Sequence, residues 1–255
     1  MFAQQRHKAI IQKINEEKSI KVPDLMQMFG VSIETIRRDL EYLEKEGFLK
    51  RVHGGAMLAE IDYKKELPFA VRETTYRDEK NELAEIATRY VSEGQSIAMD
   101  VSTTNTQFAK ALKNKVEWLT VITNSLPIVN ELVEMPHYTI ILTGGVIRNQ
   151  ERCVVGDMAE AFVSQFHVDT FFMSISGVSL AEGVTSYGIG EVEIQKRMLK
   201  NAKQTIVLGD SSKFEAVSLL KVCNCTDVDR FITDSKISRD IVDKYAKQGI
   251  EIVYE

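Results

Sequence analysis

Two sets of residues in this 255-residue chain have types and spacings that suit binding chemistry. The first lies within residues 31–56. Ile36, Leu40 and Leu43 recur at i, i+4 and i+7, which puts them on one buried face of a helix and leaves Glu34, Thr35, Arg37 and Arg38 on the other. Such a helix fits a DNA major groove about 12 Å wide, with its N-terminal residues toward base edges. Thr35 suits a thymine methyl or a phosphate, and Arg37 or Arg38 suits the two-pronged grip on guanine O6 and N7. Ser32 at the helix start suits a phosphate, and Lys50, Arg51 and His53 suit flanking phosphates. A charged helix face is more often merely solvated. From these residues alone, a small bundle whose basic helix binds protein remains an alternative.

The second set is spread over loops that follow short apolar runs: Asp100-Val101-Ser102-Thr103-Thr104, Thr123-Asn124-Ser125, Thr143-Gly144-Gly145, Gly177-Val178 and Asp210-Ser211-Ser212-Lys213-Phe214. Ser102, Thr103 and Thr104 bring hydroxyls and backbone N–H groups to a helix start, as do Asn124 and Ser125, and such starts bind anions. Gly144 and Gly145 let backbone approach a ligand closely. Lys213 and Arg148 can neutralise a phosphate. Asp100 and Asp210 can accept from sugar hydroxyls or orient Lys213, and Glu191 either accepts from a hydroxyl or favours its helix N-terminus. Together these groups suit a phosphorylated sugar. Singly, each has a plainer reading as a cap or a turn.

The elements that must position them follow from periodicity. Ile10, Ile11 and Ile14 stripe a helix over 3–17. A second helix starts near Val22-Pro23-Asp24, where proline is tolerated, buries Leu25 and Phe29, and stops at Gly30. Ser32 caps the third helix, which ends at Gly47. The alternating stretch Phe48–Val52, followed by Gly54-Gly55, predicts a hairpin, so residues 1–56 read as a winged helix-turn-helix domain. Residues 57–78 read as a linker. Residues 79–255 alternate helices (79–91, 104–113, 125–135, 156–165, 190–202, 238–247) with short β-branched strands (95–101, 119–123, 138–143, 170–176, 205–209, 229–233, 250–254). That is an α/β domain with a mostly parallel sheet. In such sheets ligands bind outside the carboxyl ends of the strands, where the loops named above fall.

The string Val31-Ser32, Thr35-Ile36-Arg37-Arg38-Asp39-Leu40, Leu43-Glu44, Gly47 and Arg51-Val52-His53-Gly54-Gly55-Ala56 closely resembles the DeoR family of bacterial transcriptional regulators. The resemblance continues through Leu67-Pro68-Phe69, Arg72 and Lys80, similar to the family's bridge between domains, and through the five loops. It implies a reader of double-stranded DNA operators, acting as a homodimer or tetramer. It implies a repressor of sugar-metabolism genes, relieved when a phosphorylated sugar or related metabolite binds an effector domain similar in fold to sugar-phosphate isomerases. Asp39 is expected to pair with a basic neighbour rather than face phosphates. Where the family commonly has glycine or alanine in the first loop, this chain has Val101 and Ser102.

Exclusions complete the reading. The net charge of -5 divides into +2 for residues 1–56 and -7 for the rest, so a reader head with a weak positive balance is masked by an acidic partner domain. Cys153, Cys223 and Cys225 are too few for a disulfide framework, and Cys223-Asn224-Cys225 has no second pair to complete a metal site, so neither metal nor cofactor is expected. No apolar run approaches the roughly 20 residues of a membrane helix, nor is there an apolar signal segment, so a cytoplasmic, membrane-free protein is expected. Gly188-Ile189-Gly190 is followed by Glu193 where a dinucleotide fingerprint needs glycine or alanine, and His7, His53, His137 and His167 are scattered. No catalytic residues are assigned. The alternatives are a ligand-gated activator with the same parts, or an isomerase-like enzyme carrying a helical bundle.

Overall fold

The computed structural model describes residues 2–45, 47–58 and 67–255, and the chain separates into two compact units, 1–75 and 76–255. Residues 59–66 of the expected linker lie outside the described part.

In the first unit, α1 (Ala3–Glu17), β1 (Ser19–Lys21), α2 (Val22–Phe29), α3 (Ile33–Lys45), β2 (Leu49–Val52), β3 (Gly55–Leu58) and the short α4 (Phe69–Arg72) follow in order. Ile10, Ile11, Ile14, Leu25, Ile36, Leu40 and Leu43 form one core with Ile20, Leu49 and Ala56. Phe29, expected in that core, is only partly buried against it. Gly30 ends α2 at φ 63°, and Ser32 Oγ accepts the Thr35 N–H at 3.3 Å. The wing is a hairpin closed by His53-Gly54, since Val52 pairs with Gly55. It gains a strand that periodicity did not reveal: β3 lies between β2 and β1. This explains Gly55, because a Cβ there would sit 2.1 Å from the Ile20 carbonyl oxygen.

The second unit carries α5 (Arg77–Thr88), β4 (Ser96–Met99), α6 (Thr103–Leu112), β5 (Leu119–Thr123), α7 (Leu126–Leu132), β6 (Tyr138–Leu142), β7 (Val146–Arg148), β8 (Cys153–Val155), α8 (Asp157–Val163), β9 (Val168–Ser174), β10 (Gly177–Ser179), β11 (Gly183–Ser186), α9 (Ile189–Asn201), β12 (Ala202–Leu208), β13 (Leu220–Cys223), β14 (Arg230–Ile232), α10 (Arg239–Ala246) and β15 (Ile252–Val253). Seven strands form one parallel sheet in the order β15-β14-β12-β9-β4-β5-β6. Ile97, Met99, Val121, Phe172, Ile206 and Leu208 face a core shared with Leu83, Phe108, Leu112 and Ile128 of α5, α6 and α7. Side chains alternate across a strand, so Phe171, Met173 and Val207 point to the opposite face, where α9 packs on β9 and β12. Chain order runs outward in both directions from the β4–β9 pair, which makes that pair the switch point where open α/β sheets bind ligands.

Two small antiparallel sheets were not expected from periodicity: the hairpin β7–β8, and β10-β11-β13. Gly177-Val178 therefore does not form an open loop. It is the buried start of β10, and a Cβ at Gly177 would meet the Ala216 carbonyl oxygen at 2.5 Å.

Candidate functional sites

On α3, Glu34, Arg37 and Arg38 are exposed, and Thr35 is half-buried at the helix start. Ser32 Oγ lies 3.0 Å from Thr35 Oγ1, so both hydroxyls already serve the cap. Arg37 lies 3.7 Å from Glu34, a solvent-exposed contact that a phosphate or base can displace. On the wing, Lys50 and His53 are exposed. Arg51 differs. Its Nε donates to Glu44 Oε2 at 2.7 Å and its backbone N–H donates to Glu44 Oε1 at 2.8 Å, and these bonds hold the Glu44 carboxyl below its usual range. Arg51 thus ties the wing to α3, which weakens its assignment as a phosphate contact. Asp39 is 5% exposed and paired with Arg6.

In the second unit, the loops after β4, β5, β6 and β12 all leave the same edge of the sheet, because their strands are parallel. Several of their polar residues are occupied within the protein. Asp100 Oδ1 accepts from Asn105 Nδ2 and the Ser174 N–H, and Oδ2 accepts from Ser174 Oγ and Gln195 Nε2. Burial pushes the Asp100 carboxyl up to about 6, against the donors from Ser174 and Gln195 that favour its charge. It is a buried joint at the carboxyl end of β4, with no free lone-pair direction for a sugar hydroxyl. Asn124 Oδ1 accepts the Val101 N–H and its Nδ2 donates to the Val154 carbonyl, stapling the β4 loop to β8. Ser102 and Ser125 cap α6 and α7 through the N–H groups of Asn105 and Ile128. Val101 is buried, 5% exposed.

Other groups at this edge have unfilled hydrogen-bonding capacity, though Thr103, Thr104, Thr143 and Asp210 are buried. The first N–H groups of α6, from Thr103 and Thr104, precede its internal ladder and have no partner within the helix. Gly145 has φ 146°, and a Cβ there would lie 2.8 Å from the Val155 carbonyl oxygen, so the Gly144-Gly145 turn after β6 holds bare backbone at the surface. Thr143 Oγ1 and Asp210 Oδ2 are buried without a hydrogen-bond partner among the described residues. Lys213 Nζ stands 3.9 Å from Asp210 Oδ2 and 6.0 Å from the Tyr76 ring centroid. Asp210 Oδ1 meanwhile accepts from the Ser212 N–H and hydroxyl. Arg148 Nη1 donates to Glu191 Oε1 at 2.8 Å, so Glu191 is an ion-pair partner as well as a first-turn acid of α9.

Ser174, Asn105, Gln195 and Tyr76 were missed by sequence reasoning. A signal existed for Gln195: it lies three residues from both Val192 and Met198 on the buried stripe of α9, where a polar side chain needs a partner. The three cysteines are buried and burial raises each thiol, pushing Cys223 up to about 12, which leaves little thiolate for nucleophilic or metal chemistry. Among the described residues no group of three His, Cys, Asp or Glu is placed to hold a metal ion, and no helix is long and apolar enough to cross a membrane.

Comparison with known proteins agrees with both halves of this geometry. Residues 6–62 match the DeoR-like helix-turn-helix domain and residues 75–235 match the DeoR C terminal sensor domain. An uncharacterized HTH-type transcriptional regulator, YulB, of Bacillus subtilis (strain 168) is 37% identical over 92% of this chain and 90% of its own. The regulator GolR of Listeria innocua is 33% identical over 99% and 98%, and a putative aga operon transcriptional repressor of Escherichia coli O157:H7 is 30% identical over 98% and 93%. Among solved structures, a ribose 5-phosphate isomerase from Methanocaldococcus jannaschii overlays 55% of each chain with 18% identity and a TM-score of 0.41. The curated relatives are named as regulators and repressors, not enzymes, which sets aside the isomerase alternative. The chain belongs to the DeoR family of transcriptional regulators.

Proposed function

We propose that the protein is a cytoplasmic repressor of sugar-metabolism genes whose operator binding is released by a phosphorylated sugar. The observation that carries the ligand reading is the Asp210–Lys213 pair. Lys213 has a side chain 22% exposed and stands 3.9 Å from an Asp210 oxygen with no hydrogen-bond donor among the described residues. A partly open cation beside an acceptor suits a phosphate and a hydroxyl on one small molecule. The free N–H groups opening α6 and the bare backbone of Gly144-Gly145 leave the same sheet edge, and Arg148 is a second cation on the β7 strand that follows.

The effector contacts proposed are Thr103, Thr104, Thr143, Gly144, Gly145, Arg148, Asp210 and Lys213. Asp100, Ser102, Asn124 and Ser125 hold the loops that carry them. Glu34, Thr35, Arg37 and Arg38 read base edges, with Ser32, Lys50 and His53 on phosphates. The weak positive balance of residues 1–56 favours paired heads on two half-sites, hence a homodimer or tetramer. Two full-length relatives are named as repressors, of an aga operon and of the glycerol-3-phosphate regulon. A thermal-shift screen of the full chain against phosphorylated aldoses, ketoses and glycerol 3-phosphate tests the ligand class, since a ligand of the folded state raises apparent stability. A shift with at least one phosphorylated compound and none with its unphosphorylated parent is expected; a flat screen counts against the reading.

A further inference from the structure

Arg6 and Asp39 are a buried ion pair joining α1 to α3, and nothing in DNA contact itself calls for it. Arg6 is 8% exposed and Asp39 5%. Arg6 Nε donates to Asp39 Oδ2 at 2.7 Å and Arg6 Nη2 donates to Oδ1 at 3.1 Å, the two-pronged geometry. His7 Nε2 donates to the same Oδ1 at 2.9 Å, while its ring stacks on Tyr42 of α3 with centroids 4.7 Å apart. These three side-chain donors to Asp39 all come from α1. Around them the helices share an apolar core, Ile10, Ile11 and Ile14 with Ile36, Leu40 and Leu43. Apolar contact is non-directional, so it tolerates rotation of one helix against another. A planar fork does not. Buried ion pairs contribute little stability over well-packed apolar side chains, but they can fix orientation.

Asp39 directly follows Arg37 and Arg38 in sequence. We infer that the Arg6–Asp39 fork is a positioning pair for base reading: it sets the rotation of α3 about its axis and so where Arg37 and Arg38 present their guanidinium groups. Side-chain ends lie about 5–6 Å from a helix axis, so a rotation of about 20° displaces them by about 2 Å. Hydrogen bonds to base edges span a window of only about 0.5 Å. The unpaired helix would still hold phosphates, whose attraction has no such directional limit, but would misread bases.

This inference rests on the reading of α3 as the base-reading helix. The test is selection from a randomised duplex DNA library by the full-length protein, with bulk calf-thymus DNA as the non-specific competitor. The double variant Arg6→Met/Asp39→Leu replaces the pair by apolar side chains. It should fold with a wild-type melting temperature and bind bulk DNA with an unchanged salt slope. Its preference for the best-enriched duplex over bulk DNA should fall at least about tenfold, the worth of roughly one misread base pair. Arg6→Lys, which keeps the charge but not the fork, should fall in between. An unchanged preference in the double variant, or in Arg6→Lys should the double variant fail to fold, overturns the inference. Arg38→Ala in the same selection separates the two levels. If it loses a motif position while the double variant loses nothing, only the positioning role fails. If it loses nothing, the reading of α3 fails and the inference with it.

Discussion

Asp100 and Ser174 are joined by two hydrogen bonds across the centre of the sheet: the Ser174 N–H donates to Oδ1 at 2.8 Å and the Ser174 hydroxyl to Oδ2 at 2.5 Å. Asp100 follows β4 and Ser174 ends β9, so the bonds tie together the carboxyl ends of the strand pair where chain order reverses. With Gln195 added from α9 and Asn105 from α6, one carboxylate fastens four segments that surround the proposed ligand cleft. A ligand that spreads or tightens this joint has a route to the rest of the domain.

The joint should make stability depend on pH. The Asp100 carboxyl titrates at about 6 in the folded chain against 3.8 in an open one. The folded state then binds the proton more tightly, so the contribution is full below about pH 4 and is lost as pH rises through about 6. A shift of this size corresponds to about 3 kcal/mol. Asp100→Asn should flatten this part of the profile, with Gln195 turning its unpartnered Oε1 toward the new amide. Urea unfolding of both proteins between about pH 4 and pH 7 checks it. Parallel profiles would show that the carboxyl is already ionised at low pH.

Lys213→Ala should leave DNA affinity intact and weaken phosphosugar binding by about 1.5–3 kcal/mol, the worth of a hydrogen bond to a charged group. Calorimetry with the best compound from the screen measures it. Unchanged affinity removes Lys213 from the cleft.

The cations of the first unit should separate by role. Arg38→Ala should cost about 1–3 kcal/mol and relax choice at one base pair. Lys50→Ala should weaken all DNA alike and flatten the salt slope by about one. Arg51→Ala should change the slope less, because Glu44 already holds that guanidinium. Titrations of one duplex at several salt concentrations distinguish the three.

Gly55→Ala should destabilise the wing by about 2 kcal/mol or more, since the new methyl would collide with the Ile20 carbonyl and part β1 from β3. Gly144→Ala, whose Cβ would meet nothing within 4 Å, is the matched control and should be nearly neutral. Melting curves of the two variants compare them directly.

The sequence carried much of this. Local periodicity is read at short range, so the first three helices and the seven parallel strands were legible, as was Asp39's need for a basic partner, whereas the four-residue α4 fell within the expected linker. What escaped is either too short to show a period or depends on partners far along the chain. β1 has only three residues and is a strand only because β3 lies beside it. β7, β8 and β10 are equally short, with too few residues to show a period, and β13 finds β11 only across more than 30 residues of chain, with Ser186 opposite Leu220. The same holds at the cleft. Residue type marked Asp100 and Asn124 as ligand groups, yet their lone pairs and protons are taken by Ser174, Gln195, Val101 and Val154, at sequence separations from 23 to 95 residues that spacing cannot disclose.

The central claim is that a phosphorylated sugar in the second unit releases DNA from the first. Fluorescence anisotropy of a labelled duplex from the selection, titrated with protein in the presence and absence of each phosphorylated compound, tests it most directly. A ligand alters binding only through unequal affinity for the two states, and moving a population from 99:1 to 1:99 takes about 5.5 kcal/mol. One phosphorylated sugar should weaken duplex binding at least about tenfold, or about 1.4 kcal/mol. Its unphosphorylated parent should do nothing, and Lys213→Ala should move the effect to about 10- to 150-fold higher ligand concentration. Duplex affinity indifferent to every phosphorylated compound, or weakened in Lys213→Ala at the same ligand concentrations as in the unaltered protein, would contradict the account.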